Sequence, residues 1–258
     1  MAQIPSHFLS LLRTKITFNL KAEARRNQLS YAWWLLEPLF EATVFYVVFS
    51  IFLASGTENF VAFLLTGLIP YTWFSRSISN SMTSLRSATW ALNNFRINPI
   101  FFPLVEIGQD SVKQLVTFSF LLAFLLLYGI EPQASWVYLP FIMLIQALLV
   151  TAVACFVASI IPLLEDLKYL VNTALMATMF ASGIFYDAQL LITDEWRPIF
   201  FINPVASVIQ MYRDILMFGS APSLYNLLIV MLWIIGVGAI ALLAISHYQK
   251  RYARLLLE

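Results

Sequence analysis

An all-α membrane protein with six transmembrane helices is the fold class the sequence predicts, and three observations predict it. Of 258 residues, 60% are hydrophobic and only 11% charged, with a mean hydropathy of +0.80. A water-soluble domain carries about 25% charged residues, so these charges are too few to cover a water-facing surface. Predominantly apolar runs near the ~20 residues that a bilayer-crossing helix needs recur along the chain. Finally, the basic residues collect between alternate runs, as they do on the cytoplasmic side of membrane proteins.

The arm 1–34 opens the chain. Arg13, Lys15, Lys21, Glu23, Arg25 and Arg26 interrupt it, so it holds no apolar core of a cleavable signal. Phe8, Leu12, Ile16 and Leu20 recur every fourth residue and draw one apolar stripe along a helix flanked by basic side chains. Such a helix lies in the plane of a membrane surface. Whether it only anchors or also touches a cytoplasmic partner is open at this point.

Spans are expected at residues 35–54, 60–78, 114–130 (the body of the third), within 132–164, at 169–186 and around 224–245. Residues 198–212 are uncharged but short for a span, and Asn203-Pro204 interrupts them, because proline removes a helix donor. Parity then decides. Six spans put both termini on one side, together with Arg76, Arg86, Arg96, Lys113 and Lys168, and leave only Arg197 and Arg213 of the 15 positive charges outside. The expected organisation is one transmembrane domain, 1–258: the cytoplasmic arm, spans one to five over 35–183, an external re-entrant hairpin over 184–222, span six over 223–246, and a cytoplasmic tail over 247–258.

Little enzymatic chemistry is present. No G-x-x-x-x-G-K-[ST] loop occurs, so the chain has no P-loop for nucleotide phosphates. His7 and His247 lie near opposite ends with no ligand-spaced partners, and the single cysteine, Cys155, sits in an apolar run. No catalytic residues, metal site or bound cofactor are expected. The net charge of +1 offers no field for nucleic acid.

The ionisable residues near the membrane are few. Glu37 and Glu41 stand one turn apart at the start of the first span, after Trp33-Trp34. Glu106, Asp110 and Lys113 share a face where the third begins, and Asp110 and Lys113 are spaced to pair within that helix. Two readings stand: a polar lining at a substrate entrance, or residues snorkelling to the interface. Phe40, Phe45, Tyr46 and Phe49 run down the first span, and Phe180, Phe185 and Tyr186 close the fifth. They suit either a surface on which sugar rings slide or ordinary packing.

Four motifs in order carry a resemblance. The stretch 21–38, KAEARRNQLSYAWWLLEP, resembles the "R-x-R-Y…LG-Y-x-W-x-x-LEP" opening of the permease subunits of polysaccharide ABC exporters. Residues 67–75, GLIPYTWFS, are similar to that family's "G-L-x-P-W-x-F-F-S", and 98–103, NPIFFP, to the loop before its third span. Asn203-Pro204 with Tyr212-Arg213 is similar to its "NP…R" hairpin. One departure is plain: Leu164-Glu165-Asp166-Leu167 stands where the family commonly has "F-R-D-I", so only the aspartate is carried over.

The resemblance implies a homodimer working with two copies of a separate ATPase, which holds the ATP and Mg, in the inner membrane of a bacterium. Its cargo is a lipid-linked polysaccharide of the O-antigen, capsule or teichoic-acid kind, surrounded by membrane lipids. Coupling to the ATPase falls to a short helix within 84–102 bearing Arg86, Trp90, Asn94, Phe95 and Arg96, with Glu165 and Asp166 as a second contact. Arg25 and Arg26, ahead of Tyr31 and Trp33, are the expected dock for a phosphate headgroup, through guanidinium forks at headgroup depth. Glu37, Phe40, Tyr46, Phe49, Phe180 and Phe185 are expected along the channel, and Asn203, Pro204 and Arg213 at an external gate. An exporter of drug-like or small lipid cargo, a membrane glycosyl- or acyltransferase, and a purely structural membrane protein are the alternatives.

Overall fold

The computed structural model describes residues 7–26, 30–52, 59–95 and 97–255, and these form helices and connecting turns without strands. In chain order the helices are α1 (Phe8–Arg26), α2 (Ser30–Tyr46, continued by a π-helical turn Val47–Phe52), α3 (Phe60–Ser87), α4 (Thr89–Asn94), α5 (Phe101–Leu127), α6 (Leu139–Ile160, entered through a 3₁₀ turn Ala134–Tyr138), α7 (Leu167–Phe180), α8 (Ala188–Leu191), α9 (Arg197–Phe200), α10 (Pro204–Leu216) and α11 (Leu224–Leu255).

Among the described residues, four helical stretches are long and apolar enough to cross a membrane: Ala32–Phe49, Phe101–Leu127, Ala134–Ile160 and Leu224–Tyr248. The expected second and fifth spans fall outside this set. The helix over the second, α3, is long but carries Arg76, Asn80 and a run of serines. The helix over the fifth, α7, has only 14 residues, ~21 Å at 1.5 Å per residue, and ends at Phe180 rather than 186. The third helix starts at Phe101, well before the uncharged body that marked it in the sequence.

The axis of the fold is α3, which packs on α2, α5, α6, α7 and α10, while α6 packs most closely on α11. Small residues let the latter pair approach: a Cβ on Gly238 would lie 3.7 Å from the Ala152 Cβ. Leu224, Leu228, Leu232 and Ile235 form an exposed apolar face of α11, as a lipid-facing helix requires.

Two prolines sit inside helices, and the neighbouring helices answer them. Pro38 deprives the Trp34 carbonyl of its helix donor, and the Thr117 hydroxyl on α5 donates to that carbonyl at 3.4 Å. At Pro70 in α3 the Gln146 amide on α6 donates to the Pro70 carbonyl at 2.8 Å, and the Tyr212 hydroxyl on α10 donates to Gln146 at 2.8 Å. Three helices are thereby bonded around Pro70.

Candidate functional site

One end of the bundle gathers the arm, the α3–α5 connection, the α6–α7 turn and the C-terminal part of α11. The arm is docked rather than free. Ile16 seats over Gly108, where a Cβ would come within 2.3 Å of its Cδ1, and the Phe8 and Phe101 rings meet edge to face at 5.8 Å. Glu23 pairs with Lys113 of α5 at 2.8 Å and accepts the Trp34 indole N–H at 3.3 Å. This displaces the expected Asp110–Lys113 pair: Lys113 turns to Glu23, and Asp110 accepts a hydrogen bond from Asn80 at 2.9 Å. Arg25 is exposed on the last turn of the arm, and Trp33 is exposed with its ring 6.5 Å from Phe40. The side chains of Arg26 and Tyr31, and all of Arg96, lie outside the described residues.

Within 84–102 the helix that forms is α4, shorter than the stretch expected, and none of its residues is buried. Trp90 is 71% and Phe95 55% exposed, their rings edge to face at 5.6 Å. Asn94 keeps its side chain on its own helix, donating to the Trp90 carbonyl. Arg86 forms an ion pair with Glu165, so the two coupling segments named from sequence are brought together, with exposed Asp166 beside them at the start of α7.

Between α2, α3 and α7 opens a cleft of about 410 Å³. Glu37 and Glu41 come from the middle of α2, and Asn172 from α7. The α3 wall is polar (Thr72, Ser75, Arg76 and Ser79), while Leu175, Met176 and Met179 supply apolar surface. Arg76 is ion-paired with Glu37. The Tyr71 hydroxyl donates to the Leu175 carbonyl at 2.5 Å and joins α3 to α7 at the back of the cleft. Sequence reading named Glu37 and Glu41 but missed Arg76, Tyr71 and Asn172. The signal available was the polar stripe 72, 75, 76 and 79, spaced by three and four residues within an otherwise apolar helix.

Of the aromatic residues expected on the route, Phe49, Phe180 and Phe185 come together. Phe49 and Phe185 are stacked at 5.0 Å, and Phe180 and Phe185 lie 5.4 Å apart. Phe185 itself is buried in the core, whereas Phe40, Tyr46 and Phe180 are exposed.

At the opposite end, residues 184–222 form α8, α9 and α10. Asn203 caps α10, accepting from the Val205 N–H at 3.0 Å, and donates to the Ser182 hydroxyl at 2.9 Å and the Ala181 carbonyl at 3.2 Å. Pro204 occupies the first helical position, where its missing N–H costs nothing. Arg213 is 2% exposed. It donates to the carbonyls of Gly183, Ile184 and Phe63 at 2.7, 3.0 and 3.3 Å and lies 3.4 Å over the Phe63 ring. The expected gate residues are thus fastened to the end of α7 and the start of α3. Among the described residues no group of three or more His, Cys, Asp and Glu is arranged for a metal ion.

Membrane-length helices, a docked amphipathic arm, an exposed aromatic end and a polar cleft define a multi-pass membrane protein. The chain belongs to the ABC-2 type transporter family, whose pattern matches residues 11–217. It is similar to two proteins of Klebsiella pneumoniae described as O-antigen export system permease protein RfbA. They are 28% identical over 203 residues and 26% over 202, with 78% of this chain and 78% of each relative covered. A protein of the same description from Myxococcus xanthus is 24% identical over 209 residues, 81% of this chain and 80% of the relative. The resemblance carried by the four sequence motifs is borne out.

Proposed function

We infer that this chain is the transmembrane, channel-forming subunit of an ATP-driven exporter of a lipid-linked polysaccharide of the O-antigen type. The observation that carries it is the family match over 11–217, together with O-antigen export permeases aligned over about four-fifths of both chains. The chain itself has no P-loop, so ATP and Mg belong to two copies of a partner ATPase.

Six spans in the inner membrane, with both termini cytoplasmic, is the topology we assign. Its support is the grouping of α1, α4, the α6–α7 turn and the end of α11, together with the distribution of Lys and Arg. On this reading α3 and α7 are the two spans too polar or too short to qualify alone: α3 crosses buried among its neighbours, and α7 crosses covered by a second copy of the chain. The homodimer is supported by α7, which among the described residues buries only Leu175 and leaves Leu170, Met176 and Phe180 exposed. Two copies of α2 and α7 then wall the channel. Arg25 and Arg26 dock the phosphate headgroup at the inner surface. The hairpin holding Asn203, Pro204 and Arg213 is the outer gate, and it moves with the end of α7 to which it is bonded.

Deleting the gene tests the assignment. The expected result is loss of surface polysaccharide with precursor accumulating inside; unaltered surface polysaccharide without internal precursor overturns it.

A further inference from the structure

The cleft between α2, α3 and α7 is large and polar, and its charge is unlike that of a headgroup dock. At about 410 Å³ it falls within the ~300–1,000 Å³ typical of small-molecule sites. Two carboxylates, Glu37 and Glu41, face it against one guanidinium, Arg76, which Glu37 already engages. Glu41 has no ion-pair partner among the described residues. A pyrophosphate entering here meets net negative charge with no open arginine fork, and in a medium of lowered dielectric that repulsion is strong. A metal ion is a poor occupant as well, since among the described residues no third acidic, His or Cys ligand is at hand.

A pyranose ring fits on each count. Its neighbouring hydroxyls donate to a carboxylate in short, charge-assisted hydrogen bonds. Thr72, Ser75, Ser79 and Asn172 add further polar partners of the kind a sugar exchanges for water. The side chains of Leu175, Met176 and Met179 give the C–H faces of the ring an apolar wall. The cleft is lined by Glu37 and Glu41 from the middle of α2 and by α7 from Asn172 to Met179, and so it lies inside the bundle, away from the end where the arm docks.

We propose that this cleft is a sugar-binding subsite, with Glu41 and Asn172 as its principal hydrogen-bonding groups, and that it takes the uncharged pyranose residues next to the lipid-phosphate anchor. The proposal rests on the export reading above and adds to it. The phosphate is held at the membrane surface by the arm, and the first sugars are read separately inside the bundle. The cleft therefore selects cargo by its glycan and not by its anchor.

Direct binding to the complete transporter, permease with ATPase in detergent or nanodiscs, tests this with two probes. One is a lipid-free oligosaccharide released from the strain's own surface polymer; the other is a polyisoprenyl pyrophosphate without sugar. Glu41→Gln and Asn172→Ala are each expected to weaken the oligosaccharide about tenfold, ~1.4 kcal/mol, and to leave the sugar-free lipid unchanged. Asn172 is exposed, so its variant reports binding even where Glu41→Gln folds poorly. Unaltered oligosaccharide binding in Asn172→Ala and in folded Glu41→Gln overturns the proposal, and so does an equal or exclusive loss of the sugar-free lipid. If the wild-type complex fails to bind the oligosaccharide while gene deletion still abolishes surface polysaccharide, the subsite falls and the export reading stands. If deletion leaves the surface polymer intact, the export reading falls first.

Discussion

The Tyr71 hydroxyl donates to the Leu175 carbonyl at 2.5 Å, one residue beyond the proline inside α3. Pro70 is held from the other side by Gln146, and Gln146 by Tyr212 of the hairpin helix. The C-terminal half of α3 ends at Ser87, and Arg86 in its last turn is paired with Glu165. A tilt of that half is therefore expected to reach the proposed channel helix α7 and the helix α10 together, through adjacent bonded residues. Tyr71→Phe removes one bond worth ~1 kcal/mol and leaves the ring in place. The expected outcome is normal membrane abundance and ATPase association with reduced surface polysaccharide per ATP hydrolysed. Equal export per ATP would show that α3 and α7 move independently.

Gln146 is 2% exposed and serves both Pro70 and Tyr212. Gln146→Leu keeps its volume but leaves the buried Tyr212 hydroxyl without its acceptor, a loss of ~1–3 kcal/mol. Thermal unfolding of the purified permease, followed by loss of monodisperse protein, should show the lowered midpoint. Tyr212→Phe in the same background should recover part of it, because the orphaned hydroxyl is gone.

Arg213 is expected to be a stability residue as much as a gate residue. It satisfies three carbonyls from two segments while fully enclosed, and Arg213→Met strips all three of a charged donor. A loss of ~3 kcal/mol is expected, enough to lower the folded amount in the membrane. Gly183, whose carbonyl is the shortest of those contacts, has φ +69°, and Gly183→Ala costs ~1–2 kcal/mol there. Quantitative blotting of the membrane fraction separates the two variants from wild type; full abundance of Arg213→Met would place this residue outside the fold's support.

How much of this was legible in the sequence follows from what periodicity and hydropathy report. The arm from Phe8 and the spans read within 132–164 and around 224–245 announce themselves as one-sided or apolar runs, whereas the continuation of α11 through the charged tail to Leu255 does not. The spans read at 60–78 and 169–186 coincide with α3 and α7, but α3 carries Arg76, Asn80 and serines and α7 has only 14 residues, so neither reaches the length and hydropathy of a span alone. The separate motifs around Arg86 and Glu165 named a coupling end, but their direct pairing is a tertiary fact that no local pattern holds. Asp110 and Lys113 show the reverse error. Helical spacing suggested a pair, and the docked arm supplied a better partner in Glu23. The cleft was half visible: Glu37 and Glu41 stand out as acids in an apolar run, whereas Asn172 gains meaning only when α7 lies against α2 and α3.

Trp90 and Phe95 supply the last prediction. Two large rings that leave more than half their surface bare, beside a charged pair and on a helix with no buried residue, are unstable company for water and suit a partner's groove. Trp90 makes no packing contribution to the core, so Trp90→Ala should leave the unfolding midpoint of the permease alone unchanged. An interfacial tryptophan of this kind is typically worth ≥2 kcal/mol, about a thirtyfold weaker association with the ATPase. The exposed Arg86–Glu165 pair should add under ~1 kcal/mol and fade in high salt. A cysteine at position 94 gives an independent measure. The native Cys155 is buried, so crosslinking to the ATPase would report position 94 alone, strong in wild type under turnover and lost with Trp90→Ala. Crosslinking and affinity undiminished in Trp90→Ala would mean that the ATPase docks elsewhere, with the α6–α7 turn the next surface to probe.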